Sequence, residues 1–232
     1  TTQKAFVYCD IEGFYGVPGP FKDYKAYLTW EYKGVTTETV LRVYTQERAI
    51  KEQLLVKNRD PLQGLKGTDY VDAKGFAIDN CVRDCGLADF GMEAKSPLPF
   101  VEGVNNYLTV KLFGLSTYKG NLITLHNIQL ILPDELEIGT IGCLWLNKGG
   151  KKFDALGTHL LSLSEGDSAI SKINDDLKNQ KATSIEFRCG INVVKAGNQE
   201  IPAPATIRAT AVYDYGGKEP ALVRILRRPI EA

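Results

Sequence analysis

The sequence predicts an all-β, antiparallel sandwich-like fold with two short helices, and three observations lead there. From Ala205 to Tyr215, Ile207, Ala209, Ala211, Tyr213 and Tyr215 fall on one face. Thr206, Arg208, Thr210 and Asp214 fall mostly on the other, the period of two that marks a half-buried strand. Pro202 and Pro204 stand before this run, where a ladder N–H is not needed. Only Gln46 to Lys57 and Asp167 to Lys181 switch to helical spacing.

Ala5 to Ile11, the run Ala-Phe-Val-Tyr-Cys-Asp-Ile, is a strand by β-propensity. Gly13 to Pro20 is rich in glycine and proline and separates it from the next strand. That second strand runs through Tyr24, Ala26, Leu28 and Trp30; Gly34 is expected to turn the chain, and Glu38 to Tyr44 returns. The first helix places Ile50 and Leu54 on one face, with Thr45 as its N-cap and Arg59-Asp60-Pro61 as its end. The segment 61–99 reads as an irregular insertion, with five glycines and five aspartates and little periodicity.

Regularity returns at Tyr107 to Leu115 and at Leu122 to Leu132, the latter apolar on both faces as in a strand covered on each side. Ile141 to Leu146 and Lys152 to Leu163 read as a hairpin turning at Asn147 to Gly150. The second helix turns Ile170, Ile173 and Leu177 inward, with Asp167 or Ser168 as cap. Ser184 to Val194, a turn at Lys195 to Asn198, and Ala205 to Tyr215 read as a further hairpin. Gly216, Gly217 and Pro220 then lead to a last strand, Ala221 to Leu226. The expected organisation is an N-terminal strand, 1–12, and one large domain, 13–232.

Hydrophobic residues at 44% and charged residues at 24% are those of an ordinary globular protein. No uncharged apolar run approaches the roughly 18 residues of a spanning helix. Lys plus Arg equals Asp plus Glu at 28 each, so there is no basic excess to hold phosphates, and nucleic acid is not an expected partner. A net charge of zero is compatible with self-association. The start at Thr1, without an apolar leader, fits a mature secreted chain or one trimmed at its start.

No constellation for catalysis emerges. His126 and His159 both lie near strand-like runs, no nucleophile elbow is present, and Cys81-x-x-x-Cys85 is only half of a zinc site. Cys143 and Cys189, between apolar neighbours, read as small buried residues. Cys9, Cys81 and Cys85 are the disulfide candidates, Cys81 and Cys85 bonding each other or Cys9. Acids cluster at Asp134, Glu135 and Glu137 and at Asp175 and Asp176. Calcium takes such oxygen ligands and is the one cofactor expected.

Ala5 to Ile11 and Ala221 to Leu226 are apolar strands joined to the body by Gly/Pro-rich hinges. Either both complete the chain's own sheets, or one adds to the open sheet of a neighbour. Repeated head to tail, such a contact builds a fibre or tube. The expected donor is the N-terminal segment, with Ala5, Phe6, Val7, Tyr8 and Ile11.

Ile185 to Cys189, the Pro202/Pro204 bracket and Ala205-Thr-Ile-Arg-Ala-Thr-Ala-Val-Tyr-Asp-Tyr215 resemble the closing strands of immunoglobulin-like modules in archaeal cell-surface proteins. The resemblance spans about the last 50 residues. It implies an immunoglobulin-like or jelly-roll-like sandwich at the cell surface, of the kind found in donor-strand filament and cannula-type tube subunits. The sequence departs from that pattern in lacking an N-x-[ST] glycosylation site. The expectation is a non-enzymatic extracellular subunit that assembles with itself by strand exchange. The alternative is a carbohydrate- or surface-binding module with Trp30, Trp145, Tyr24 and Tyr27 as its aromatic platform.

Overall fold

The computed structural model describes residues 5–11, 21–83, 88–114, 120–146, 151–153, 159–179 and 183–226. Two antiparallel sheets enclose one hydrophobic core, a β-sandwich with two short helices. The first sheet runs β1 (Ala5–Ile11), β2 (Phe21–Gln46), β12 (Ala203–Leu226), β7 (Asn121–Ile131), β10 (Leu160–Ser164). Two short strands, β3 (Asp79–Arg83) and β5 (Phe100–Val101), also pair with β2. The second sheet runs β4 (Ala88–Ala94), β6 (Asn106–Gly114), β11 (Ser184–Val193), β8 (Leu136–Trp145), β9 (Lys151–Phe153).

The alternation on β12 does what its pattern predicts. Ala205, Ile207, Ala209, Ala211, Tyr213 and Tyr215 are all buried, as are the odd-numbered residues of β11 from Ile185 to Val193. These two strands do not form a hairpin, however. β11 pairs with β6 and β8, while β12 pairs with β2 and β7, so the segment after Val193 crosses from one sheet to the other. Alternation identifies a strand and its buried face, and both faces of this core are built from such strands.

Gly34 does not turn the chain; β2 runs through it as one strand. Its φ of +60° belongs to a bulge, in which Lys33 and Gly34 stand against Asp214 alone. Glycine adopts this left-handed backbone without the Cβ penalty. The extra residue also shifts the parity of β2. Trp30 and Tyr32 before it, and Val35, Leu41 and Val43 after it, therefore pack on the same core.

The segment 61–99 is less irregular than its composition suggests. Ala88, Phe90, Met92 and Ala94 of β4 are buried at alternate positions, and β3 lines the edge of β2. Gly91 is needed there because a Cβ would come within 2.6 Å of the Asp79 carboxylate. That carboxylate accepts the Thr39 hydroxyl and the N–H of Met92, so Asp79 ties the first sheet to the second. The stretch Lys152 to Leu163, expected as one strand, divides between β9 in the second sheet and β10 in the first. Its turn at 147–150 lies outside the described residues.

Helix α1 (Arg48–Val56) buries Leu54 and has Glu47, not Thr45, at its N-cap. Thr45 stays in β2, where its hydroxyl reaches the Ala203 carbonyl. Helix α2 (Ser168–Lys178) starts after Asp167 and buries Ile170, Ile173 and Leu177, as its spacing predicts. It packs on β7. Asn174 donates to the Leu125 carbonyl at 3.0 Å and accepts the Leu125 N–H at 2.8 Å, filling the edge of β7 just past the end of β10.

Candidate functional site: a three-stranded ribbon and its root

The feature that sets this sandwich apart is the length of β2 and β12. They pair from Leu226↔Phe21 to Ala203↔Thr45. On its other side β12 has β7 only from Arg208 to Gly216. Past that point, among the described residues, β1, β2 and β12 continue without a further strand, with β1 paired from Ala5↔Tyr32 to Ile11↔Ala26. At about 3.3 Å per residue, Gly217–Leu226 adds on the order of 30 Å of strand to the ribbon. Among the described residues, its outer edges are β1 on one side and Gly217–Leu226 of β12 on the other. Pro220, which lacks an N–H, falls where β12 has β2 as its one strand partner among the described residues, a place a proline tolerates.

The root of the ribbon is densely packed. Trp30 meets Tyr215 and Tyr32, each at a ring separation of 5.7 Å. A Cβ on Gly216 would collide with the Trp30 carbonyl, and one on Gly120 with the rings of Trp30 and Tyr215. Burial pushes the Tyr215 hydroxyl above its ordinary value, against a hydrogen bond with the Gly120 backbone.

Beside this cluster, the buried Asp214 accepts the Gly34 N–H at 2.9 Å and meets Nε2 of His126 at 2.8 Å. Nδ1 of the same imidazole meets Glu165, in the turn before α2. Two carboxylates are acceptors only, so both contacts are satisfied together by the imidazolium. Burial lowers the His126 pKa, but the two carboxylates outweigh it and hold the group above its ordinary value. The arrangement clamps the bulge. His159 donates from Nδ1 to the Leu136 carbonyl at 2.7 Å, a structural bond.

β1 covers the expected donor segment and pairs with β2 of its own chain; the side chains of Ala5, Phe6, Val7, Tyr8 and Ile11 lie outside those described. The two acid clusters expected as calcium ligands lie in different parts of the fold. Asp134 and Glu135 precede β8 and Glu137 lies in it, in the second sheet, while Asp175 and Asp176 ride on α2 against the first. Among the described residues no three His, Cys, Asp or Glu side chains group as metal ligands.

The cysteines require a correction. Cys143 and Cys189 are fully buried, as their neighbours predict, but they are also bonded to each other. They face one another across β8 and β11 with Cα atoms 3.9 Å apart. Pairing of those strands was not readable from the sequence, and the opposition that permits the bond depends on it. Cys81 is disulfide-bonded too. The Cys9 side chain and Cys85 lie outside the described residues.

Of the expected aromatic platform, Trp145 is buried in the core and Trp30 packs at the ribbon root. Tyr27 lies under Lys218, whose Nζ is 4.2 Å from the ring centroid. The Tyr24 side chain is outside those described.

Fold and site together define a two-sheet antiparallel β-sandwich that carries a three-stranded ribbon. No protein-family model, curated protein or solved structure matches this chain.

Proposed function

We propose that this protein is an extracellular structural subunit that assembles with copies of itself into a filament, tube or surface layer by strand addition at the ribbon. The observation that carries the reading is the ladder of β12 from Gly217 to Leu226, which among the described residues is paired on one side only, at the edge opposite β1. An open ladder is a template for another strand. Ribbons of few strands gain stability by packing or pairing further, so a neighbour's strand is a natural occupant. A donor carrying Ala5, Phe6, Val7, Tyr8 and Ile11 and an acceptor edge on β12 lie on different surfaces. Their contact is heterologous and propagates without closing. The buried Cys143–Cys189 bond supports an oxidising, extracellular setting.

Removal of residues 1–11 tests the role of the donor. The expected product keeps its cooperative unfolding transition and sediments as a monomer where the full chain forms large species. A truncated chain that still polymerises sinks the strand-exchange reading, and one that fails to fold sinks it too, by making β1 indispensable to the chain's own sheet rather than free to be exchanged.

A further inference from the structure

On the outer face of the first sheet, well away from the ribbon, lies an open groove of about 690 Å³. Its size is that of small-molecule sites. Val40, Arg42, Asn80, Thr206 and Tyr70 line it, with Asp69 at its side. We infer that it binds a carboxylate-bearing saccharide, with Arg42 as the receptor for the acid group.

Arg42 is the reason. Arg48, Arg59 and Arg208 each face a carboxylate, from Glu52, Glu200 and Glu38. The Arg42 guanidinium instead lies over the Tyr70 ring, 4.0 Å from its centroid, and no described residue accepts its N–H groups. Stacking uses the face of the guanidinium and leaves its edge donors for a planar acceptor, which a carboxylate supplies.

Tyr70 is held ready for this. The Ile78 N–H donates to its carbonyl at 2.9 Å, Val71 and Ala77 form a bridge, and Asp72 accepts the N–H groups of Lys74 and Phe76, each at 2.8 Å. Val71 is buried beneath, so the small hairpin that presents the ring is anchored in the core. A receptor built in this way is positioned before its ligand arrives.

The surroundings choose the ligand class. Thr206 stands directly across the ladder from Arg42 and offers a hydroxyl beside the cation, while Asn80, across from Val40, has its amide N–H groups donated to the Asp69 and Ile78 carbonyls. Both edges of β2 are occupied at Val40, by β3 and β12, so a peptide finds no free ladder there. A single arginine with Asp69 nearby suits a monoanion better than a phosphate dianion. This site is independent of the ribbon and holds whether or not the chain polymerises.

Calorimetric titration with trigalacturonate, maltotriose, acetate and a hexaglutamate peptide is the test, on the full chain and on Arg42→Gln and Arg42→Lys. Trigalacturonate is expected to bind and maltotriose not. Arg42→Gln should weaken binding by about tenfold or more, with the cooperative melting transition retained. Arg42→Lys, which keeps the charge without the fork, should fall between. No binding of trigalacturonate, or equal binding to Arg42→Gln, overturns the inference. Acetate or hexaglutamate binding as tightly as trigalacturonate overturns its saccharide half.

Discussion

Asp214 Oδ1 lies 2.8 Å from Nε2 of His126 and also accepts the N–H of Gly34, so one carboxylate oxygen joins β7 to the bulge from which the ribbon departs. The pH dependence follows from the raised pKa of His126. Its contribution to stability is complete below the unfolded histidine value of about 6.5 and is lost as pH rises through the higher folded value. Thermal melts from about pH 5.5 to about pH 9 should show the wild type losing more stability than His126→Gln. Parallel profiles for the two proteins would rule out a stabilising role for the imidazolium. At the acid end the substitution should cost on the order of 1 kcal/mol, since Asp214 keeps its bond to Gly34.

Asp79 runs with the opposite chemistry. Burial raises its pKa, against the hydrogen bonds from Thr39 and Met92, with the nearby Asp89 adding to the rise. Its ionisation thus weakens the fold as pH climbs from the unfolded value through the raised one. Asp79→Asn accepts from Met92 and donates to Thr39 without a charge, so it should be neutral or stabilising at neutral pH. Asp79→Ala should cost about 1–3 kcal/mol by leaving the Met92 N–H unpaired. Urea denaturation of both variants separates the cases. A destabilised Asn variant would mean that the charge itself is required.

Gly91 should not tolerate a side chain. The Cβ of Gly91→Ala would press on the Asp79 carboxylate that ties β3 to β4. The expected loss is about 1–3 kcal/mol, and it should shrink in an Asp79→Ala background, where the obstruction is gone. Additive losses in the double-mutant cycle would locate the strain elsewhere.

Much of this architecture was readable before any coordinates. The bounds of β1 follow from β-propensity, and the buried face of β12 and the inward Ile170, Ile173 and Leu177 of α2 follow from spacing. Partnership was not. Nothing local tells Ser184–Val193 and Ala203–Leu226 that they belong to opposite sheets, or sets Cys143 against Cys189. Gly34 illustrates a second limit, because a left-handed glycine serves a turn and a bulge equally well. The His126 clamp joins residues 39 and 88 positions apart, a closeness that the registers of β7 on β10 and on β12 create. β4 was legible in principle, as Ala88, Phe90, Met92 and Ala94 alternate, but Gly91 and the surrounding acids gave it the look of a loop.

The Cys143–Cys189 bond closes a long loop, with a sequence separation of 46, and both sulfurs are buried. Replacing the pair with alanine should lower stability by about 2–4 kcal/mol. In the folded protein the bond should resist dithiothreitol and yield only as the chain unfolds, which mass spectrometry after alkylation reads directly. Rapid reduction under native conditions would contradict the placement of the pair in the core.

Negative-stain electron microscopy of the purified full chain, with calcium and with a chelator, addresses the central claim most directly. Strand addition along β12 predicts regular filaments, tubes or sheets built from a repeating subunit. Dispersed single particles under both conditions, at concentrations where sedimentation also reports a monomer, would contradict it.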